Sequence, residues 1–136
     1  MLTPIQRPPQ DAELIGHVRR WLKLLAAGRL VDACAELDEP NTYGVRWTPE
    51  SLQRAVGDTF GPGSQFRVLN GHPVFTDPDQ VVGDGRPSVV ALADGGGYSV
   101  NHDVPLNGRY SDLTAETEFR WRGGHLAFTL HDLHVL

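Results

Sequence analysis

The sequence contains very little cysteine, since Cys34 is the single one in 136 residues. One cysteine excludes an intramolecular disulfide and a thiolate metal cluster, so the composition does not indicate an oxidising compartment. The first residues also lack the long apolar core of a signal peptide, and no apolar run reaches the roughly 18 residues of a membrane span. We therefore expect a cytoplasmic protein without a membrane partner.

Positive charge is scarce as well. The chain has 12 Lys and Arg residues against 17 Asp and Glu residues, which gives a formal net charge of −5. Its densest basic run is Arg19, Arg20 and Lys23 on one predicted helix, whereas nucleic-acid binding requires a basic stripe with interleaved aromatic residues. We therefore expect no nucleic-acid partner.

The sequence also lacks the motifs of several enzyme classes. It contains no GxSxG, P-loop or HExxH motif, so nucleophilic and nucleotide-driven chemistry have no sequence support. Gly95, Gly96 and Gly97 lie between two predicted strands, with no following helix to present N–H groups to a phosphate, and are typical of a hairpin loop. We expect no cofactor.

What the chain does have is the composition of one globular domain. With 40% hydrophobic and 21% charged residues, it is long enough to bury a continuous core and too short to favour two domains. Pro4, Pro8 and Pro9 predict an extended leader over residues 1–10, because proline is excluded from helix interiors. The single domain is expected to span residues 11–136.

Apolar residues at helical spacing predict three helices in the first half of the chain. The first follows an N-cap at Asp11 and is terminated by Gly28, and a short second helix covers residues 30–37. The third starts after an N-cap at Thr48 and runs to about residue 61. The buried face of the first helix is predicted to consist of Leu14, Val18, Trp21, Leu22 and Leu25.

After residue 61 the apolar period changes from 3.6 to 2, which is typical of strands. The predicted strands cover residues 66–69, 88–93, 98–104, 113–122 and 125–135, with looser pairing near 74–82. Helices followed by hairpin-connected strands predict an α+β fold with an antiparallel sheet.

Gly123 and Gly124 give the strongest local signal, because two glycines between alternating runs are typical of a type I′ or II′ hairpin turn. Such a turn predicts the pairs 122–125, 121–126, 119–128 and 117–130. The last three pairs share one apolar face, which we expect to pack against the helices. The opposite face is predicted to hold Glu116, Glu118, Arg120, Thr129 and His131.

Two stretches, residues 104–114 (VPLNGRYSDLT) and 131–136 (HDLHVL), are similar to small, uncharacterised bacterial proteins of the NTF2-like superfamily. The order of elements over residues 11–136 also resembles this superfamily, whose cone-shaped fold is related to that of the cystatins. The resemblance implies three N-terminal helices packed on a strongly curved antiparallel sheet. It implies no single activity, because the superfamily includes isomerases, dehydratases, transport factors and immunity proteins.

His102, Asp132 and His134 are the candidate site residues. Alternation along the strands places all three on inward faces, so they are predicted to line one cavity. A carboxylate beside an imidazole can serve as a general base in such a cavity. The alternative is that Asp132 and His134 satisfy each other or backbone groups at a strand end. A bulge after Leu130 would turn both of them outward.

Two histidines and a carboxylate also match the ligands of a divalent metal. We expect no metal site, because these ligands would come from separate strands. Tyr43 and Trp47, in the link between the second and third helices, and Tyr98, on the face of His102, complete the candidate pocket. The alternative is that Trp47 fills the core and Tyr43 caps it, since large aromatic residues are mainly packing residues.

Three classes of function follow from these residues. The first is an NTF2-like binding or interaction protein, for example of the immunity type, with a small-molecule or protein partner. The second is a small pocket enzyme, an isomerase, dehydratase or hydrolase, that uses the His/Asp constellation. The third is a homodimer with only a structural role. The resemblance implies a C2 homodimer formed through a sheet face. The charges expected around that contact are those of Glu116, Glu118, Arg120 and Arg122.

Overall fold

The computed structural model describes residues 3–4, 8–60 and 73–135. Its elements are β1 (Thr3–Pro4), α1 (Asp11–Ala26), α2 (Leu30–Ala35), α3 (Pro49–Phe60), a 3-10 helix (Pro78–Gln80), β2 (Ser88–Ala91), β3 (Gly97–Leu106), β4 (Arg109–Arg122) and β5 (His125–Val135). Within these residues, three α-helices precede the main strands of an antiparallel sheet with the order β1-β5-β4-β3-β2. The predicted α+β class is confirmed. No helix in the described ranges is long and apolar enough to cross a membrane.

Helix α1 has its N-cap one residue earlier than the sequence predicts. Gln10 is the N-cap, and its N–H donates to the Glu13 carboxylate at 3.2 Å, as in a capping box. Asp11 is instead the first helical residue, where its charge faces the positive helix end. The helix stops before Gly28, whose φ of 75° is readily adopted by glycine. The predicted buried face is confirmed at Leu14, Val18, Trp21, Leu22 and Leu25.

Helix α3 agrees with the sequence pattern, whereas α2 ends at Ala35, two residues before its predicted end. The Ser51 N–H donates to the Thr48 hydroxyl at 3.1 Å and caps α3. Pro49 follows in the first turn, where a missing N–H costs no helical hydrogen bond. The indole N–H of Trp21 donates to the Ala33 carbonyl at 2.9 Å, which joins α1 to α2. The buried residues of α3 are Leu52, Val56 and Phe60.

The hairpin of β4 and β5 has the predicted register. Its two-residue turn is formed by Gly123, with a φ of 66°, and Gly124. The confirmed pairs are 122–125, 121–126, 119–128 and 117–130. Phe119 and Phe128 are fully buried and lie against the His17 ring of α1, at centroid distances of 5.4 Å and 4.6 Å. This inner face of the sheet therefore packs on the helices, as expected.

A β-bulge interrupts the second half of β5. Between the pairs 117–130 and 116–132, His131 is an extra residue on β5. A bulge shifts the alternation of side chains by one residue, so Leu133 points inward and is 4% exposed. Asp132 and His134 consequently lie on the outer face of the sheet, which points away from the helices.

Strand β4 begins four residues earlier than predicted, at Arg109. Asn107 and Gly108, with φ angles of 52° and 87°, form a tight turn directly after β3. An Asn-Gly pair between two strands is a strong hairpin signal because both residues tolerate positive φ. Strands β3 and β4 therefore form a second hairpin that the sequence prediction missed.

The remaining strand predictions differ from the structure at their ends. Strand β2 stops at Ala91, two residues earlier than expected. Looser strand pairing was predicted over residues 74–82. The structure has one isolated bridge there, between Phe75 and Leu106, and the 3-10 helix follows it. The strand predicted over residues 66–69 lies outside the described residues.

The link between α2 and α3 runs along the edge of β5. The Asp38 N–H donates to the Phe128 carbonyl at 2.8 Å, and the Phe128 N–H donates back to the Asp38 carboxylate at 2.7 Å. Further along, the indole N–H of Trp47 donates to the Leu130 carbonyl at 2.9 Å. The link thus satisfies backbone groups of β5 that β4 does not reach.

Candidate functional site

His102 lies on the inner face of β3 and is fully buried. Its Nδ1–H donates to the Asp103 carbonyl at 2.7 Å, since a carbonyl can only accept. Nε2 is then the acceptor nitrogen of a neutral ring, and it has no hydrogen-bond partner in the described part of the chain. Burial lowers the pKa of His102, although the bond to the Asp103 carbonyl opposes this shift. His102 is therefore a neutral base enclosed in protein.

A group of polar residues lies next to His102 at the end of the inner face. The Tyr110 and His102 ring centroids are 6.0 Å apart, and the Tyr110 hydroxyl accepts from Arg19 at 3.2 Å. Arg19 also donates to Asp79 at 2.9 Å, and Asp79 pairs with Lys23. The Lys23 ammonium and the Arg19 guanidinium hold the pKa of Asp79 below its usual value. This network ties the 3-10 helix to α1 and is structural in character.

The prediction that His102 shares one cavity with Asp132 and His134 is wrong. His102 and Leu133 belong to one cross-strand row on the inner face, whereas Asp132 and His134 lie on the outer face. The β-bulge is the physical reason, because it allows the apolar Leu133, rather than either polar neighbour, to enter the core. The three predicted residues therefore cannot act together on one ligand.

On the outer face, His134 contacts two carboxylates. Its Nδ1 lies 2.8 Å from Asp132 Oδ2, and its Nε2 lies 2.8 Å from Glu116 Oε1. A carboxylate accepts and does not donate, so both bonds form together only when each ring nitrogen carries a proton. The alternative that Asp132 and His134 satisfy each other is confirmed. Among the described residues, no three His, Cys, Asp or Glu side chains are placed so that they could hold a metal ion.

The three candidate aromatic residues lie in different surroundings. Trp47 is partly buried against the core, so it is a packing residue, as the alternative interpretation predicted. Tyr98 is also partly buried and pairs with Phe119 on the inner face. Tyr43 is 75% exposed, with its ring 5.2 Å from that of His131. Tyr43 therefore neither caps the core nor shares a pocket with Tyr98.

The outer face contains a polar cavity that the sequence prediction missed. It has a volume of about 540 Å³. Its lining residues are Arg86, Ser88, Asn101, Asp103, Asp112, Thr114 and Val135. Arg86 donates to Asp103 at 2.7 Å, while Asn101 Oδ1 is buried without a partner among residues 8–60 and 73–135. Asn101 and Asp103 flank the inward His102. The alternation of side chains along the strand was therefore the one signal in the sequence that could have placed them on the outer face.

An apolar cleft of about 360 Å³ lies between the end of α1, α3 and residues 73–75. The described residues that line it are Leu25, Ala26, Gly28, Leu30, Gln53, Val56, Gly57, Pro73, Val74 and Phe75. Gln53 contributes the one polar side chain of this set. The cleft has room for an apolar group but presents no titratable side chain from the described residues.

Comparisons of the chain with protein-family models, with curated proteins and with solved structures find no match. No relative therefore assigns a role to any residue of these sites. The functional interpretation depends on the contacts, burial and charges described above.

Proposed function

We propose that this chain is an NTF2-like binding or interaction protein, for example of the immunity type. Such a protein acts by non-covalent recognition rather than by catalysis. The observation that supports this proposal is the closed inner face of the sheet. Trp21, Phe119 and Phe128 pack there and are at most 1% exposed, and His102 is fully buried. A substrate would have to displace packed core residues to reach the His102 ring.

The rival interpretation, a small pocket enzyme, requires His102, Asp132 and His134 to meet one substrate. These residues lie on opposite faces of the sheet, and His134 already has two carboxylate partners. The binding protein is therefore the better supported proposal. A cytoplasmic location, inferred from the single cysteine, is part of it.

Diethyl pyrocarbonate, which acylates accessible imidazole nitrogens, tests whether the inner face is closed. In the native protein we expect exposed His125 to be modified rapidly and His102 to remain unmodified, as measured by peptide mass spectrometry. The urea-unfolded chain is the control, in which both should react. Modification of His102 at the rate of His125 would contradict the closed inner face and favour the pocket enzyme.

The partner that we propose for the outer face is a second copy of the chain. Arg120 and Arg122 lie on this face near the hairpin turn, whereas Asp112, Glu116 and Asp132 lie toward the opposite end. A C2 axis that runs across the strands would place the arginines of one copy over the carboxylates of the other. Both halves of such an interface are the same surface, so its charges are self-complementary.

Sedimentation velocity at about 10–100 µM tests the dimer, because this range covers weak protein interfaces. Arg120→Glu combined with Arg122→Glu should convert a dimer to a monomer. The control is Arg29→Glu combined with Arg54→Glu, which changes the charge equally at exposed positions of the helical region and should leave the dimer intact. A monomeric wild type, or a double variant at 120 and 122 that remains dimeric, would count against the proposed interface.

A further inference from the structure

Strand β2 (Ser88–Ala91) forms one edge of the sheet, because β3 is its single neighbour among the described strands. The opposite edge, on β5, is partly covered by β1 and by the link between α2 and α3. In β2, Ser88 and Ala91 are exposed, and Val90 is 60% exposed. Of the two edges, that of β2 is therefore the more accessible to another strand.

The backbone groups of β2 divide into those that bind β3 and those that point away from it. The Leu92 N–H donates to the Gly97 carbonyl at 2.9 Å, so these two residues form a hydrogen-bonded pair. Bonded and non-bonded pairs alternate along an antiparallel ladder, so the next bonded pair is 90–99. Val89 and Ala91 therefore direct their N–H and C=O groups away from β3. No described strand or loop bonds to these outward groups.

Strand β2 lacks most of the features that keep a free strand edge from pairing. A charged side chain, a proline or a bulge within the strand would oppose a neighbour. Its residues are Ser, Val, Val and Ala, and its register with β3 has no shift. The remaining limit is length, because a strand of four residues offers few hydrogen bonds. The edge is therefore suited to a weak contact with another strand.

A second copy of β2 fits this edge in one antiparallel register. With Val90 opposite Val90 of the second copy, Val89 lies opposite Ala91, and the outward groups of both residues are paired in each copy. The two Val90 side chains then meet on the outer face, since Val90 pairs with Ser99 and Ser99 with Glu118 of that face. A pair of β-branched side chains is favourable there. A shift by one residue would set outward groups opposite inward ones.

The charges beside β2 suit the same register. The Arg86 side chain, before the strand, is 77% exposed, and the Asp94 side chain, after it, is 64% exposed. Both also form an ion pair within the chain, to Asp103 and to Arg120. An antiparallel second copy brings Arg86 of each chain near Asp94 of the other, whereas a parallel copy would bring like charges together. We propose that β2 pairs with β2 of a second copy, antiparallel about a two-fold axis at Val90, so that the two sheets become continuous.

This edge contact is separate from the proposed dimer of outer faces. It uses the backbone of β2, whereas the outer-face dimer uses Arg120 and Arg122 of β4. The short strand predicts a Kd on the order of 1 mM, which lies above the concentrations at which the outer-face dimer is tested. Either contact can therefore form without the other, and each has its own test.

Amide hydrogen exchange, followed by two-dimensional NMR from about 0.1 to 2 mM protein, tests the edge contact. The Val89 and Ala91 amides should exchange about twofold more slowly at the highest concentration, where about half of the chains would be paired. The Val90 amide is bonded to β3 and should exchange slowly throughout. Rates at Val89 and Ala91 that do not change with concentration would overturn the proposal.

Ala91→Pro removes one outward N–H without the loss of a hydrogen bond to β3, as an edge strand tolerates. In this variant the exchange of the Val89 amide should no longer depend on concentration. Ala91→Ser, which keeps the N–H, is the matched control and should behave as the wild type does. Val90→Lys keeps the test valid if the proline variant is unstable, because this exposed position would bring two positive charges together at the axis. Slowing that both Ala91→Pro and Val90→Lys retain would contradict the edge contact.

The variant Arg120→Glu combined with Arg122→Glu separates the two proposed contacts. The slowing at Val89 and Ala91 should persist in it, because β2 is unchanged. Loss of the slowing would assign the protection to the outer-face dimer and overturn the edge contact.

A peptide that copies residues 86–94 (RPSVVALAD) identifies the occupant of the edge. At about 2 mM, added to dilute protein, it should slow exchange at Val89 and Ala91 as the second copy does. If the peptide protects these amides while the protein alone never does, the edge belongs to a strand of another protein, and the proposal for a second copy is overturned.

Discussion

His102 and His134 lie in the same sheet but on opposite faces, and their rings differ in burial and in hydrogen-bond partners. His102 is fully buried, with one hydrogen bond to a carbonyl and one ring nitrogen that has no partner in the described part of the chain. The His134 side chain is 36% exposed, with a carboxylate at each ring nitrogen. Burial disfavours a charge on the His102 ring, whereas the His134 ring lies partly exposed between two carboxylates. The comparison shows that two residues of the same type acquire different surroundings, because alternation along the strand places one on the inner face and the other on the outer face of the sheet.

The two faces also differ in how they contribute to stability. The inner face consists of tightly packed apolar side chains, where the loss of a few methylene groups is costly. The outer face is held by partly exposed ion pairs, each of which contributes little. Four predictions follow from this difference, and the expected loss of unfolding free energy decreases from the first to the last.

Trp21→Ala should have the largest effect, because Trp21 is 1% exposed at the contact between α1 and the sheet. We expect a loss of about 3–5 kcal/mol in the free energy of unfolding, as measured by urea denaturation. Trp21→Phe is the control, because it retains a buried ring and loses mainly the indole bond to Ala33, at a cost of about 1 kcal/mol. An unchanged urea midpoint for Trp21→Ala would show that the inner face is not the stabilising face.

Gly85→Ala tests the packing around His102. A methyl group at Gly85 would overlap the His102 ring, whereas at Gly28, which has a similar positive φ, it would meet nothing within 4 Å. Both substitutions carry a backbone cost of about 1 kcal/mol. The overlap should bring the cost of Gly85→Ala to about 3 kcal/mol. Equal melting temperatures for the two variants would mean that His102 has room to move.

Acidification should destabilise the inner face through His17, whose ring packs on Phe128. Burial, assisted by the charge of Arg20, lowers the pKa of His17 from 6.5 to about 4. The unfolded chain therefore binds the proton first, so stability is complete above pH 6.5 and is lost as the pH falls toward about 4. We expect a loss of about 2 kcal/mol, less than the full shift implies because the ring is partly exposed. The lowered pKa of His102 acts in the same direction.

The measurement for this prediction is the unfolding free energy of the wild type and of His17→Leu between pH 7 and pH 4. The variant should show a flatter dependence on pH, since it has no imidazole to protonate at that position. His134→Leu, on the outer face, is the matched control and should not flatten the curve in this way. Identical slopes for the wild type and His17→Leu would contradict the assignment to His17.

His134→Ala should have the smallest effect, because its two ion pairs are partly exposed. We expect a change below about 1 kcal/mol in the free energy of unfolding. Thermal and urea melts of the variant measure this directly. A loss as large as that of Gly85→Ala would show that the outer network stabilises the fold as strongly as core packing does.

Much of the fold could be predicted from local sequence patterns. The spacing of Leu14, Val18 and Trp21 is visible within two helical turns, and the Gly123-Gly124 turn determines its register from adjacent residues alone. In both cases a short stretch of chain contains all the information that the element needs.

The candidate site was less predictable, because its errors arise from choices made over a longer range. Alternation extended past Leu130 assumes that no residue is skipped, but burying Leu133 is favourable and burying Asp132 is not. The apolar character of Leu133 was the available signal for the bulge. The outer cavity brings Arg86 next to Asp103 from a loop that precedes β2, and no local pattern reports that approach.

The link between α2 and α3 covers part of the edge of β5, and a covered edge is one way in which proteins avoid aggregation. The open N–H and C=O groups of a strand edge are a template to which another extended chain can add. Here Asp38 occupies that position beside Phe128, and Asn41 holds the link in place through bonds to Tyr43 and to the His131 carbonyl. Loosening the part of the link around Asp38 would expose the edge of β5 beside Phe128 to another extended chain. One link therefore bears on both solubility and stability, because Asp38 covers the strand edge while Trp47 packs against the core.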